Sequence, residues 1–242
     1  MTYKVLRWTA ARVVMVAVAA SATVNSTFPH DITSRCLLQK VTLNTREPIR
    51  CALHCQNTPG CSLYCLQDLV CTLYNAMVTQ AWNGKTLLTG IPFQRCFASS
   101  HDPRDIALSI ANSSSSSTFN SDRNSQQMYN GYTCFFVDYC FMTINTVEPY
   151  WKGDLGVPYQ VSTIKILTRQ DANTKHFFQD VTVRLGNSSD YFSNPIFAFY
   201  AGPAPLKALV TLVSPSPAFG RYLLIQSGVS DFFCMCSIQI FK

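Results

Sequence analysis

Residues 150–156 read Tyr150-Trp151-Lys152-Gly153-Asp154-Leu155-Gly156, and a series of short strand-like segments extends from this stretch to the end of the chain. The segments are apolar or alternate apolar and polar residues, and turn-forming residues separate them: 161–167, 181–185, 196–200, 206–213, 222–226 and 236–241. Strands that recur about every dozen residues between turn signals are typical of an all-β sandwich. We therefore predict a β-sandwich for the second half of the chain.

The same stretch carries a family resemblance. It resembles the W-W-x-V-D-L-G segment of fucolectins, and residues 234–240 (C-M-C-S-I-Q-I) resemble the L-C-E-V-E-V end of that family. Further landmarks of the family follow in the same order: R-x-D at 169–171, V-T-V-R-L-G at 181–186 and G-R-Y-L at 220–223. The resemblance covers residues 105–241. It implies a mainly β chain whose C-terminal part is a galactose-binding-like jelly-roll β-sandwich of the discoidin group, and it implies sugar binding.

The first 22 residues have the features of a cleaved secretory signal. Lys4, Arg7 and Arg12 precede the apolar run 13–20, and residues 20–22 read A-S-A. A basic start, an apolar run of about 7 to 15 residues and an A-x-A site are typical of such signals. A membrane anchor is the alternative, but the run is far shorter than the roughly 20 residues that span a bilayer. We predict a secreted, extracellular protein that does not span a membrane.

The composition excludes two further classes. Charged residues make up 13% of the 242 residues and hydrophobic residues 48%, which argues against disorder. Removal of the signal would take away three basic residues and no acidic one, so the formal charge would fall from +6 to +3. This balance, without a cluster of Lys and Arg, does not favour nucleic-acid binding.

Eleven cysteines in an exported chain indicate disulfide bonds. Three N-glycosylation sequons, which begin at Asn25, Asn112 and Asn187, agree with that route and predict surface positions. Seven cysteines precede residue 100 and four follow it, which predicts a boundary near residues 99–103. The predicted division is a signal peptide at 1–22, a first domain at 23–100 and a second domain at 101–242.

The first domain is predicted to be a small, disulfide-rich α+β unit. Cys51 and Cys55 are four residues apart, so they lie on one helical face. Pro59 and Gly60 then end the helix, and residues 62–65 and 70–74 are predicted strands of a hairpin. The pattern C-A-L-x-C-x5-C resembles PAN/apple domains. A zinc site that includes His54 is the alternative, but the cysteine spacings are not those of zinc knuckles.

The two resemblances imply a disulfide pattern. PAN/apple pairing implies Cys55–Cys61, Cys51–Cys71 and Cys36–Cys96. Cys65 is then odd, as a free buried thiol, an intermolecular link or a sign of a different pairing. In the second half, Cys140 and Cys236 match the fucolectin pair that ties a long loop to the last strand. Cys134 and Cys234 are expected to form a second bridge beside it.

The candidate sugar site follows from the fucolectin resemblance. That family binds sugar with one His and two Arg, because cationic donors form strong, charge-assisted hydrogen bonds. Met142 occupies the position of the histidine. Arg169 matches the first arginine, and Asp171 is expected to orient its guanidinium. His176 occupies the position of the second arginine, where it would make binding depend on pH near 6.5.

Structural explanations stay open for each of these features. Arg169 and Asp171 could form an ordinary surface ion pair, and His176 could simply lie exposed on a loop. Residues 105–109 alternate like the first strand of fucolectins and are predicted to be a strand. The serine run 113–117 is predicted to be a loop or linker. Six aromatic residues either stack on sugars or belong to the core: Tyr129, Tyr132, Phe135, Phe136, Tyr139 and Phe141.

The calcium site of fucolectins is only partly retained. The corresponding positions are Asn130, Tyr132, Tyr139 and Ser237. Ca²⁺ prefers anionic oxygens, and Asn130 and Ser237 stand where the family has carboxylates. Asp138 is the one nearby residue that could replace them. No cofactor is therefore firmly expected, and calcium is the open alternative.

The sequence supports two hypotheses on function. The first is a secreted, fucolectin-like carbohydrate-binding protein with a divergent sugar site, which recognises glycans or glycoproteins on a cell or microbial surface in innate defence or adhesion. The alternative is a structural or adhesive module that has lost sugar and calcium binding and binds proteins, in part through the apple-like domain. Homo-oligomers are compatible with both hypotheses. Because four scattered His and no catalytic motif are present, we expect no enzyme.

Overall fold

Tyr150 begins an 18-residue strand that ends at Leu167 and lies within a six-stranded sheet. The computed structural model describes residues 36–78, 95–98, 102, 104–134, 136–171 and 177–242. The predicted signal peptide, Asn25, Phe135 and residues 172–176, which include His176, lie outside the described residues. Within the described part, no helix is long and apolar enough to cross a membrane.

The N-terminal half contains a four-stranded antiparallel sheet and a helix. Its elements are β1 (Leu37–Thr42), α1 (Pro48–Asn57), β2 (Leu63–Gln67), β3 (Val70–Tyr74), β4 (Met77–Val78) and β5 (Arg95–Ala98). The sheet has the order β1-β3-β2-β5. Pro48 suits the first helical turn, where its missing N–H would have no partner. Cys51 and Cys55 form the buried face of α1, so the predicted helix and hairpin are confirmed, whereas the likeness to PAN/apple domains stays a prediction.

Two disulfides of this half agree with the predicted pairing. They join α1 to β3 through Cys51 and Cys71, and the end of α1 to the following turn through Cys55 and Cys61. His54 lies exposed on α1. The two cysteines of this helix, Cys51 and Cys55, are both disulfide-bonded. These cysteines therefore offer no thiolates to a zinc ion.

The predicted pairing of Cys36 with Cys96 is wrong. Cys65 and Cys96 lie directly opposite each other in the β2–β5 register and form a disulfide, with a Cα–Cα distance of 4.0 Å. Cys36 is bonded instead to Cys134, whose Cα lies 5.4 Å away. Strand register thus decides the partner of Cys65, which is not the odd cysteine.

The predicted bridge between Cys134 and Cys234 is consequently also wrong. Cys134 is bonded to Cys36, and Cys234 is a free, buried cysteine. The expected bond between Cys140 and Cys236 is present, at a Cα–Cα distance of 3.8 Å. The odd cysteine of this chain is therefore Cys234.

The C-terminal half consists of strands, short 3-10 turns and loops. Its strands are β6 (Asn112–Ser115), β7 (Tyr132–Thr133), β8 (Phe141–Met142), β9 (Tyr150–Leu167), β10 (Val181–Gly186), β11 (Ile196–Tyr200), β12 (Leu209–Ser227), β13 (Cys234–Met235) and β14 (Ser237–Phe241). The large sheet has the order β11-β10-β12-β9-β14, with β6 beside β9, and β8 pairs with β13. Phe141 and Met235 from the small sheet pack into the core of the large one. The prediction of a mainly β chain is confirmed.

Four residues of the stretch 150–156 have distinct structural roles. Trp151 is fully buried, and its indole N–H donates to the carbonyl of Ser125 at 2.9 Å. Gly153 leaves room for that indole, because a Cβ there would overlap the ring. Asp154 accepts two hydrogen bonds from the Arg221 guanidinium at 2.6 and 2.8 Å, and these hold the pKa of its carboxyl below its usual range. Gly156 has a φ of +79°, which side chains rarely tolerate.

Two sequence expectations at the start of this half are corrected. The serine run 113–117 is not a loop at its beginning, because β6 pairs with β9 and the Ser113 hydroxyl donates to Ser125 at 2.9 Å. The strand expected at residues 105–109 is a single bridge between Asp105 and Phe241, followed by a 3-10 turn. Tertiary partners decide both cases.

The two halves are joined at several points. The Cys36–Cys134 disulfide crosses the predicted boundary, and β4 pairs with β7. Leu63 and Tyr74 of the first half share a buried cluster with Cys134 of the second. The division at residues 23–100 and 101–242 stays a prediction, but the halves share hydrophobic packing and a covalent bond.

Candidate functional site

Met142, at the end of β8, lies at the centre of the candidate site. It is 5% exposed and pairs with Cys234 of β13, and its carbonyl accepts a hydrogen bond from the Phe119 amide at 2.8 Å. Its side chain belongs to a buried cluster with Leu167 at the end of β9. A buried thioether therefore stands at the position where the sequence resemblance predicts a histidine. A thioether cannot donate a hydrogen bond to a sugar.

Arg169 approaches this thioether from the loop that follows β9. Its Nη1 lies 4.0 Å from the Met142 Sδ, and its Nε donates to the Asp171 carboxylate at 3.0 Å. The guanidinium carbon lies 5.2 Å from the centroid of the Phe177 ring. Only 13% of the Arg169 side chain is exposed, so Arg169 and Asp171 do not form an ordinary surface ion pair. The carboxylate and the ring together restrict the guanidinium to one orientation.

Arg123 approaches the same sulfur atom from a different segment. Its Nη1 lies 3.9 Å from the Met142 Sδ, and its Nη2 donates to Asp138 at 3.1 Å. Its guanidinium carbon lies 4.7 Å from the Phe119 ring centroid, and 17% of the side chain is exposed. Asn120 caps this short turn by accepting a hydrogen bond from the Arg123 amide at 3.0 Å. Sequence reasoning missed Arg123, because nothing in the local S-D-R-N-S pattern points to Met142.

Three aromatic rings extend along this site. The Phe232 ring centroid lies 6.1 Å from that of Phe119 and 6.1 Å from that of Phe177. Phe119 is 43% exposed, and the other two are partly buried. Each outer ring supports one guanidinium, since Arg123 lies over Phe119 and Arg169 over Phe177. We call these three rings with Met142, Arg123 and Arg169 the arginine–aromatic site.

The charges of the arginine–aromatic site are balanced. Each guanidinium has a carboxylate partner, Asp138 for Arg123 and Asp171 for Arg169. Charge-assisted pairs of this kind fix donor geometry without creating a strong net field. The arrangement suits hydroxyl and ring oxygens of a neutral ligand better than a fully charged one.

A very small cavity of about 10 Å³ adjoins Arg169. Its lining is Thr168, Arg169, Phe177, Phe178, Ala204, Pro205, Leu206 and Cys234. This volume is about that of one water molecule, so the cavity is too small for a sugar ring. Burial raises the pKa of the Cys234 thiol to about 12. The thiol is therefore protonated at physiological pH and is a poor nucleophile.

The aromatic residues singled out from sequence lie mostly elsewhere. Phe141 is a core residue, and Tyr129 packs edge-on against the Trp151 indole. Phe136 and Tyr139 pack against the cluster that joins the two halves. The core interpretation is therefore the correct one for these four rings.

The residues at the predicted calcium position do not form a suitable donor set. The Asn130 amide donates to Gln127 Oε1 at 2.6 Å, and Ser237 is 4% exposed in β14. Tyr132 lies in β7, and Tyr139 packs against the cluster that joins the halves. Asp138, the nearby carboxylate, is engaged by Arg123. Without a carboxylate of their own, these positions do not fit Ca²⁺. Within the described ranges, no group of three or more His, Cys, Asp or Glu could hold a metal ion.

Two of the predicted glycosylation sites fall within the described chain. Asn112 is exposed on β6, which pairs with β9, and Asn187 is exposed directly after β10. Both positions are open to modification, and their glycosylation stays a prediction.

Comparison with protein-family models and with curated protein sequences gave no match. Comparison with solved structures gave several. The f-lectin (fucolectin) from striped bass (Morone saxatilis) serum is similar with a TM-score of 0.53 and 21% identity, over 57% of this chain and 48% of that one. The match thus spans about half the length of the striped bass protein.

Two further solved structures are similar over most of their own length. The lectin domain of lectinolysin, complexed with Lewis B antigen, has a TM-score of 0.48 and 18% identity, over 58% of this chain and 98% of that one. The family 32 CBM from C. perfringens NanJ, in complex with galactose, has a TM-score of 0.48 and 15% identity, over 57% and 98%. At identities this low, structural similarity shows a shared fold and nothing more. Of the three structures, we use the striped bass f-lectin, whose TM-score is above 0.5, to assign the fold. This chain therefore shares the galactose-binding-like β fold of the fucolectin structure.

Proposed function

We propose that this chain is a secreted carbohydrate-binding protein that holds a sugar at the arginine–aromatic site. The observation that carries the proposal is the convergence of two guanidinium groups on one thioether. Arg123 and Arg169 come from segments 46 residues apart in sequence, yet both lie within 4.0 Å of the Met142 Sδ. Such convergence gives a ligand two fixed sets of cationic donors around an apolar floor.

The chemistry of the site fits a neutral sugar. Guanidinium N–H groups donate to hydroxyl and ring oxygens, while aromatic rings such as Phe119 and Phe232 pack against the C–H face of a pyranose. Arg123 supplies a cationic donor beside Met142, where the resemblance places a histidine. The similarity of the fold to that of a fucolectin structure also supports sugar binding.

His176 is proposed as a third donor at this site. Its place in sequence is seven residues after Arg169, and it lies outside the described residues. Since imidazole is charged only near or below pH 6.5, a sugar held through it would bind more tightly at pH 6 than at pH 7.5.

The proposed setting is extracellular. Five disulfides in the described chain suit an oxidising export route, in agreement with the predicted signal peptide. Glycans or glycoproteins on a cell or microbial surface are the proposed partners, in defence or adhesion. The expectation that the chain is not an enzyme stays a prediction.

A glycan array tests the proposal. The wild-type protein is expected to bind a neutral sugar at pH 6 and at pH 7.5, and Arg169→Gln or Arg123→Gln is expected to weaken binding by about tenfold or more, because each removes charge-assisted hydrogen bonds of about 1.5 to 3 kcal/mol. Arg104→Gln is the matched control, since Arg104 also pairs with an aspartate two residues away but is 72% exposed. Absence of binding to every sugar at both pH values would overturn the proposal.

A second candidate is a structural or adhesive module without sugar binding. The observation that favours it is the packing of Phe136, Tyr139 and Cys134 against the N-terminal half, which removes those rings from any ligand surface. This candidate predicts that Arg169→Ala leaves the binding of a protein partner unchanged. A large loss of binding in that variant would favour the lectin instead.

A further inference from the structure

The side chain of Asn75 connects the N-terminal half to the loop that carries Arg169. Its Oδ1 accepts a hydrogen bond from the Lys207 ammonium at 2.8 Å, and its Nδ2 donates to Gln170 Oε1 at 3.4 Å. Gln170 is the residue next to Arg169. The Lys207 amide donates to the Arg169 carbonyl at 2.9 Å. The side-chain amide of Asn75 thus contacts Gln170, which follows Arg169 in sequence, and Lys207, whose backbone amide binds the Arg169 carbonyl.

Lys207 is held in an unusual conformation at this point. Its φ of +54° lies in the left-handed region, which costs a residue with a Cβ about 1 kcal/mol or more. Burial lowers the pKa of its ammonium. Two hydrogen bonds hold Lys207 in this conformation. Its backbone amide donates to the Arg169 carbonyl, and its ammonium donates to Asn75.

Asn75 is itself rigidly anchored. Its backbone N–H donates to the carbonyl of Cys36 at 2.8 Å. Cys36 in turn forms a disulfide with Cys134 of the second half. Two residues later, Met77 joins the buried cluster that includes Met142. The N-terminal half therefore contacts the buried cluster of Met142 through Met77, and the residues next to Arg169 through Asn75.

We propose that Asn75 is a positioning residue for Arg169, so that the N-terminal half is a working part of the binding site and not an independent module beside it. The proposal rests on the sugar site described above for its functional consequence. Its structural part is independent of any ligand, because it concerns the order of the Arg169 loop.

Two measurements on the full chain test this role. Hydrogen exchange of the Lys207 amide reports whether the loop is held, and sugar affinity reports whether Arg169 is in place. Asn75→Leu and Lys207→Met are expected to speed exchange of that amide about tenfold and to weaken sugar binding about tenfold. Asn75→Asp keeps the acceptor for Lys207 and should restore most of both properties. Asn44→Leu, at an exposed asparagine between β1 and α1, is the matched control and should change neither.

The combination with Arg169→Gln separates positioning from general stability. If Asn75 acts through Arg169, then Asn75→Leu causes no further loss of sugar affinity in the Arg169→Gln background. Equal losses in both backgrounds, or unchanged exchange of the Lys207 amide in Asn75→Leu, would overturn the inference. If the wild-type protein binds no sugar but the exchange result holds, the proposed function fails and the positioning role stands.

Discussion

At the scale of single residues, the contacts that matter most join positions far apart in sequence. Arg123 meets Met142 across 19 residues, and Asp105 meets the last strand across 135. Asp105 is 2% exposed, and its carboxylate accepts hydrogen bonds from the amides of Ala107 and Ile240, each at 2.9 Å. It ties the start of the second half to its end. A local pattern gives no sign of either contact, since both arise only when distant segments pack together.

Asp105 should make stability depend on pH in an unusual direction. Burial raises the pKa of its carboxyl in the folded protein, against hydrogen bonds that lower it. Between the unfolded value, about 3.9, and the raised folded value, the native state binds more protons than the unfolded state. This group's contribution to the free energy of unfolding therefore falls as pH rises through that window.

The Asp105→Asn variant isolates this effect, because it cannot titrate. The unfolding free energy of the wild type minus that of the variant should decrease between pH 4 and 7, by about 1.4 kcal/mol for each unit by which folding raises the pKa. Denaturant titrations over that range measure the difference. A difference that is independent of pH would contradict the account.

At the scale of elements, short strands depend on their neighbours. The two-residue strands β8 and β13 place Met142 opposite Cys234, and the Cys140–Cys236 disulfide lies directly beside them. The polar strand β6 likewise has little burial of its own and exists because β9 offers it a partner. Alternating apolar patterns predict long strands such as β9 and β12, but they cannot predict strands that bury little surface.

The Cys140–Cys236 bond should be a major stabiliser of the second half. It closes a loop of 96 residues, for which the chain-entropy account predicts about 4 to 5 kcal/mol. The double variant Cys140→Ser, Cys236→Ser should lose that amount in denaturant unfolding. The matched pair Cys55→Ser, Cys61→Ser, whose cysteines are six residues apart, should lose only about 2 kcal/mol. Equal losses would show that loop length does not control these contributions.

At the scale of the whole molecule, the two halves share covalent and packing contacts. These contacts are the Cys36–Cys134 bond, the β4–β7 pairing and the Asn75 hydrogen bonds. Met77 of β4 also packs in the same buried cluster as Met142. The boundary that the cysteine counts predict near residues 99–103 therefore divides two parts of the chain that are in contact in the folded protein. Cys36 of the first half consequently has its disulfide partner, Cys134, in the second half.

A thiol count tests the overall disulfide pattern. The folded protein should show no reactive thiol, because Cys234 is fully buried and its pKa is raised to about 12. In denaturant one thiol per chain should react, and peptide mapping under non-reducing conditions should locate it at Cys234. A reactive Cys65, or a peptide that joins Cys134 to Cys234, would contradict the pattern.

The sequence by itself determined the mainly β second half, the helix and hairpin of the first, and the disulfides Cys51–Cys71, Cys55–Cys61 and Cys140–Cys236. These features follow from local periodicity, from short spacing or from a resemblance that includes the cysteines. Only the tertiary structure decided the partners of Cys36 and Cys65, the free thiol of Cys234 and the meeting of Arg123 with Arg169 at Met142. The physical reason is that strand register and the packing of the two halves set which distant side chains meet, and neither is encoded in any single stretch of the chain.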